Sequence, residues 1–310
     1  MNDPLHRAEA ILRAACGDRL RTDYPMAPLT TFRIGGPAAL FLEAGSEADL
    51  TAAGEAVRTT GLPVVVVGKG SNLLVADRGF SGLVIRLGRA FRWVGRDGSE
   101  LSAGAAMPLP ALAGVALSHG LSGLEFGVAI PASLGGAVRM NAGAHGHELS
   151  ERVVHVDVFE LVDARTTRVP AGDAGFGYRG SALPDDGIVV ATAVALEPAP
   201  TTTIRERMDA ARDWRRRTQP LAEPNCGSVF KNPPGDHAAR LIDEADGKTM
   251  SVGAARVSEK HANFIVAGPG ATAADVLRLV RALQDRVEER TGVRLEPEVH
   301  LVGEVDLATR

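Results

Sequence analysis

The sequence predicts an α/β or α+β protein, on three observations. Runs of β-branched residues such as "LPVVVVG" (62–68) alternate with segments of helical spacing. In "GATAADVLRLVRALQDRVEERTG", Val276, Leu279, Val280, Leu283 and Val287 fall on one apolar stripe. The chain has 310 residues, 45% hydrophobic and 23% charged, enough for two or three domains with proper cores.

The elements follow in order. "MNDPLHRAEAILRAA" reads as an amphipathic helix with Leu5, Ala8, Leu12 and Ala15 on one side, and lacks the unbroken apolar core of a signal peptide. "TTFRIGGPAALFLEAGS" reads as strand, turn, strand around its Gly-Gly-Pro break. "EADLTAAGEAVRTTG" is a helix closed by Gly61. "LPVVVVG" is a strand buried on both faces. "SGLVIRLG" is a strand, "FRWVGRDGSELSAGA" a hairpin turning at Asp97-Gly98, and "LPALAGVALSHG" a helix.

"GLEFGVAIPASLGGAVRMNAGAHG" is dense in glycine but too apolar for a disordered linker, which points to close approach of backbone to backbone or ligand. "RVVHVDVFELVD" and "IVVATAVALEP" are strands, and Pro198 with Pro200 marks a domain boundary. "HAARLIDEAD" and the 270–292 stretch are helices, the latter opened by a capping box of Thr272 and Asp275. "LEPEVHLVG" is the closing strand.

A net charge of −4 argues against nucleic-acid binding, and the basic stretch 205–217 interleaves Glu206, Asp209 and Asp213 as a solvated helix face would. Two cysteines, Cys16 and Cys226, make no disulfide framework, and no apolar run is long enough to span a bilayer. A soluble cytoplasmic protein without membrane insertion is expected. The histidines, including His145 and His147, have no Cys or carboxylate cluster at metal-ligand spacing.

Two short stretches carry chemistry. "VVVVGKGSNLLV" puts Gly68, Lys69, Gly70, Ser71, Asn72 and Leu73 directly after a strand, where free N–H groups suit a diphosphate and a tight β-turn fits equally well. It is neither a Rossmann fingerprint nor a P-loop. "NCGSVFKNP" (225–233) sets Ser228 between Gly227 and an apolar pair, with Lys231 three residues on. Read locally, it is a turn leading into a short strand.

"TFRIGGPA", "GKGSNLLV", "GLEFGVAIPASLGGAVRMNAGAHG", "YRGS", "PNCGSVFKNP", "VSEKHANFIV" and "LEPEV" occur in one order from about Thr30 to about Gly303. Together they make the chain resemble the UDP-N-acetylenolpyruvoylglucosamine reductase family. The resemblance implies a vanillyl-alcohol-oxidase-type FAD-binding module followed by a C-terminal α+β substrate domain. The division it implies is a lead-in over 1–29, an FAD-binding domain over 30–199 (sub-domains about 30–88 and 89–199), and a substrate domain over 200–310.

The resemblance further implies non-covalent FAD and NADPH as co-substrate. The 68–74 loop would hold the FAD diphosphate. Gly123, Gly127, Ile130, Pro131, Ala132, Ser133, Gly135, Gly136, Asn141 and Gly143 would border the rest of the cofactor. The chain resembles the shorter form of the family, because "YRGSALPDDGIVV" leaves no room for a tyrosine-bearing insertion. It departs from the family at Leu183, at Lys69 and in "ADGKTMSVG" (245–253). The last departure bears on substrate contacts rather than on the reaction.

The family reaction reduces the enolpyruvyl group of a UDP-sugar, yielding UDP-N-acetylmuramate. It needs a cation at the carboxylate, an acidic group kept largely protonated and a placed proton donor. By resemblance these are Arg179, Glu298 and Ser228, with Tyr178, Lys231, Asn232, His261 and Asn263 as substrate contacts. A monomer is expected. The competing readings are another flavin oxidoreductase of the same superfamily, or a non-enzymatic nucleotide-binding protein. "GSVFKNP" and "LEPEV" argue against the former, since they belong to the reductase's substrate domain.

Overall fold

The computed structural model describes residues 3–304 and divides into two compact units, each built from three separate segments. One comprises the chain up to Thr22, Leu40–Lys69 and Gly82–Arg215; the other comprises Asp23–Ala39, Gly70–Ser81 and the chain from Arg216 on.

The first unit has two cores. Helices Pro4–Cys16 and Glu47–Thr60 bury Ala8, Leu12, Leu50 and Ala53 with Leu40, Leu42, Leu83 and Ile85 of a four-stranded sheet. Ser46 caps the second helix through its hydroxyl, and Gly61 closes it at φ +68°. Ala15 is exposed and Cys16 buried, so the apolar face of the first helix turns slightly from the expected one. The 62–68 strand also differs from expectation. Only Val64–Val66 is extended, it pairs in parallel with Phe80–Leu87 at the sheet edge, and Val66 is 40% exposed. An edge strand does not need its partners' apolar cover on both faces.

The second core of this unit sits on a five-stranded antiparallel sheet, in which Gly187–Ala195 lies between Val153–Glu160 and Glu100–Gly104. The hairpin before it has Asp97 opposite Glu100, so its loop is Gly98-Ser99. The edge strand Arg165–Pro170 was not foreseen, because "RTTRVP" is short, mostly exposed and lacks a period-2 apolar pattern. Helix Thr201–Thr218 sends Ile204, Met208 and Ala211 into this core. Burial of that face is why the unit runs to Arg215, beyond the boundary read at Pro198 and Pro200.

The second unit folds around one core. Helices Ala238–Glu244 and Ala273–Thr291 pack with Phe32, Leu74, Val229, Phe230, Ile265 and Leu295. All five residues of the predicted stripe are buried, and the Thr272–Asp275 capping box is formed in both directions. Asp77 adds a second cap, accepting from the Ala273 and Ala274 amides at 2.7 and 3.0 Å. A three-stranded antiparallel sheet, Ser251–Val252, Ala255–Val257 and Ile265–Ala267, completes the unit with the parallel pair Leu73–Val75 and His300–Val302.

Of two expected strands in this unit, one does not form and the other forms only in part. Residues 30–36 are irregular, with Arg33 at φ +58° and Phe32 turned into the core. In "LEPEVHLVG" only His300–Val302 is extended; Pro297 instead makes a single antiparallel bridge to Phe230.

Candidate active site

In the second unit, four motifs that are far apart in sequence lie side by side. The amide of Val229 donates to the Asn263 carbonyl at 2.9 Å, and the amide of Glu298 donates to the Val229 carbonyl at 2.7 Å. Lys231 donates its amide to Glu296 O at 2.9 Å. The Asn72 side chain donates to Glu298 O at 3.0 Å, and His300 N donates to Asn72 O at 3.0 Å. Segments 70–75, 228–232, 261–263 and 296–302 are thus cross-linked through their backbones. Ser228 and Glu298 are held by neighbouring links of this lattice.

The serine stands at a sharp bend. Gly227 is at φ +80°, a conformation L side chains avoid, and Val229 and Phe230 behind it are 1% exposed. Between them Ser228 is half-buried, and its hydroxyl hydrogen-bonds to none of the described residues. Cys226 next door is fully enclosed. Burial first, and then the nearby Glu298 charge, push its thiol up far enough to exclude nucleophilic work at neutral pH.

Other expected contacts find partners within this unit. Lys231 Nζ meets Glu296 Oε1 at 2.6 Å. Asn232 Oδ1 accepts from Ala238 N at 3.0 Å, at the start of a helix. Asn263, 3% exposed, uses both side-chain atoms on the backbone of Phe230 and so clamps the serine segment. His261 accepts from Asn263 N at 3.2 Å and packs against the Phe264 ring at 4.7 Å, tilted by 59°. Burial, aided by Lys248, holds its pKa below the usual histidine value, so it is a neutral imidazole.

In the first unit, Arg179 occupies a two-residue turn with Tyr178. Gly177 and Gly180 close the turn with reciprocal backbone bonds of 3.0 and 3.3 Å. Arg179 is at φ +57°, where a glycine would be unstrained. Its guanidinium lies 4.8 Å from the Tyr178 ring centre, donates to Gly143 O at 3.3 Å and stands 3.6 Å from Glu148. Sequence reading missed Glu148. The one signal for it was its place in the glycine-rich hairpin that precedes a strand.

The glycines divide by function. Gly127 and Gly135 are packing glycines: a Cβ would meet Leu109 Cγ at 3.0 Å or Ala105 Cβ at 2.9 Å. Gly123 is pressed against Arg152 in the same way, at 2.8 Å. Asn141 is 1% exposed, and its polar atoms bind Glu148, Gly177 and Ser150 N. Ser133 caps the short helix Leu134–Arg139 by accepting from Gly136 N, and leaves space at Gly68 for no side chain at all. Ile130, Pro131 and Ala132 form the irregular lead-in to that helix.

The loop 68–72 suits a diphosphate. Among the described residues, none of its five amide N–H groups donates to a protein acceptor. Consecutive unpaired amides in a glycine-bearing loop are an anion nest.

A family model described as "FAD binding domain" matches residues 38–170, and one described as "UDP-N-acetylenolpyruvoylglucosamine reductase, C-terminal domain" matches 219–302. A protein of Heliobacterium modesticaldum named UDP-N-acetylenolpyruvoylglucosamine reductase is 47% identical over 90% of each chain. One of Symbiobacterium thermophilum, with the same name and the number 2, is 44% identical over 98% of each. The crystal structure of the Thermus caldophilus reductase is similar at TM-score 0.80 and 39% identity, over 92% of this chain and all of that one.

Proposed function

The chain belongs to the UDP-N-acetylenolpyruvoylglucosamine reductase family, and from that premise we propose a role for each residue of its site. The protein is an FAD-dependent oxidoreductase that reduces UDP-N-acetylenolpyruvoylglucosamine with NADPH in peptidoglycan precursor synthesis. FAD, when bound, supplies the two-electron chemistry. The amides of 68–72 are the groups on this chain fitted to its diphosphate.

Reduction adds a hydride to the methylene carbon of the enolpyruvyl group and a proton to the neighbouring carbon. Negative charge grows on the carboxylate side before the proton arrives. Arg179 binds that carboxylate, since its planar fork matches a carboxylate better than an ammonium does. Ser228 delivers the proton from a hydroxyl that no described residue occupies. Glu298, one backbone link from Ser228, is the acidic group of the site. Lys231 carries charge to the sugar nucleotide, with Glu296 steering its ammonium.

The observation that carries this reading is Ser228, fixed between Gly227 and the buried Val229-Phe230 and leashed to Glu298 through Val229 O. The test is anaerobic mixing. NADPH should bleach the flavin absorbance, and the enolpyruvyl sugar nucleotide should restore it with formation of the saturated product. A reduced flavin that the sugar nucleotide cannot reoxidise would leave only the competing flavoprotein reading.

We also take the protein to be a cytoplasmic monomer that acts on no nucleic acid. The free thiols of Cys16 and Cys226 fit a reducing compartment. No helix among the described residues is long and apolar enough to cross a membrane. Sedimentation at working concentration tests the oligomeric state.

A further inference from the structure

We propose that Glu148 is a positioning residue for Arg179, fixing the direction in which the guanidinium meets a substrate carboxylate. The inference rests on the role assigned to Arg179 above.

The chain builds this contact from two tight turns. In the hairpin 143–148, Gly143 pairs with Glu148. Gly143 has no room for a side chain: a Cβ would meet His147 O at 2.6 Å, Glu148 Cγ at 2.9 Å and Arg179 Nη1 at 3.3 Å. The bare glycine lets the guanidinium come close enough to donate from Nη2 to Gly143 O, while Nη1 faces Glu148 Oε1 at 3.6 Å. Both terminal nitrogens are therefore referenced to one pair of residues.

The carboxylate is itself held. Its Oε2 accepts from Asn141 Nδ2 at 2.8 Å, and the same Nδ2 donates to Gly177 O at 3.0 Å. Gly177 flanks Arg179 in its turn, so Asn141 ties the two turns together at the point where their charged side chains meet. Asn141 is buried at φ +41°, and its Oδ1 takes the Ser150 amide at 2.9 Å. This bonding fixes which carboxylate oxygen turns to the arginine. At 3.6 Å, the Glu148 charge orients the guanidinium from outside hydrogen-bond distance. Glu148 also forms a reciprocal cap with Glu151 over the turn 149–151, a function glutamine can share.

The test uses the flavin-loaded protein. Glu148→Gln keeps the shape and the acceptor toward Asn141 but removes the charge. Reduction by NADPH should stay at the wild-type rate. Reoxidation by the enolpyruvyl sugar nucleotide should slow about 10- to 100-fold, the scale of a misplacement of about 1 Å. Equilibrium binding of the saturated product, titrated by flavin absorbance, should weaken in step. Glu148→Asp should recover part of both. In an Arg179→Ala background, Glu148→Gln should cost almost nothing further.

Wild-type reoxidation in Glu148→Gln would overturn the proposal. So would an equal cost with and without Arg179, or loss of flavin and fold in both Glu148 variants, which would make the residue a support of the hairpin. If Arg179→Ala alone reoxidises at the wild-type rate, the role given to Arg179 fails, and the proposal fails with it for that separate reason.

Discussion

Asn263 holds Phe230 as a neighbouring strand would: its Nδ2 donates to Phe230 O at 2.8 Å and its Oδ1 accepts from Phe230 N at 2.9 Å. One side chain thus replaces a missing strand behind the serine segment. Asn263→Ala leaves two buried backbone groups unpaired, a loss on the order of 3 kcal/mol. The melting temperature of the ligand-free protein should fall by roughly 6–12 °C. An unchanged melting temperature would return Asn263 to the ligand-binding role read from the sequence.

Arg179 predicts opposite signs for stability and activity. At φ +57° a non-glycine residue is strained by about 1–2 kcal/mol. Arg179→Gly relieves the strain and removes the guanidinium. Thermal stability should hold or rise slightly, while reoxidation by the sugar nucleotide should drop about 10²–10³-fold. A variant that is both slower and clearly less stable would show that the arginine's contacts, rather than its backbone, dominate the turn.

Gly68 and Gly70 should respond differently to alanine. At Gly68 the new Cβ would lie 2.1 Å from Ser133 Oγ, a side-chain atom that can be deleted. At Gly70 it would lie 2.0 Å from the Leu29 carbonyl, on backbone already at φ +60°. Ser133→Gly should therefore rescue flavin content and melting temperature in Gly68→Ala, at the cost of a few tenths of a kcal/mol in helix capping. No such partner rescues Gly70→Ala. Flavin absorbance per protein and thermal melts distinguish the two.

His261 makes stability depend on pH with a definite sign. Its folded pKa is depressed, chiefly by burial and then by Lys248. The unfolded chain accordingly takes up the proton first as pH falls below about 6.5. The stabilising contribution is complete above that value and is lost as pH drops through the folded pKa. Melting temperatures of wild type and His261→Gln should converge in pH dependence above it and diverge below, with the wild type falling faster. Parallel curves down to pH 5 would count against a buried neutral imidazole.

The sequence made periodic elements legible because periodicity is local. The 273–291 stripe, its Thr272–Asp275 cap and the Gly61 stop each depend on residues within a turn or two. What it hid is tertiary. The segment 295–299 reads as strand, yet its pairing is a single bridge at Pro297, which has no amide to extend a ladder. Asn141 and Asn263 look like ligand contacts in their motifs, but Asn263 spends both side-chain atoms on backbone 33 residues away, and Asn141 reaches backbone 36 residues away as well as closer groups. Glu148 matters only because Arg179 reaches it from another turn. The motifs carrying the chemistry were visible as ordered strings; their wiring was not.

Ser228 is the sharpest test of the chemistry. Gly227 at φ +80° bends the chain, and Val229 donates to Asn263 O while accepting from Glu298 N, so the hydroxyl is carried on a backbone fixed from both sides. Ser228→Ala removes one oxygen and disturbs none of these bonds. It should retain flavin, melting temperature and reduction by NADPH. Reoxidation by the enolpyruvyl substrate should fall by roughly 10²–10⁴, the range for losing a general acid. Ser228→Cys should keep part of the activity, because a thiol also gives up a proton. The neighbouring Cys226 cannot substitute in the alanine variant, since burial keeps its thiol protonated and enclosed. Stopped-flow reoxidation of Ser228→Ala near the wild-type rate would take the proton-donor role from this serine and leave it a turn residue.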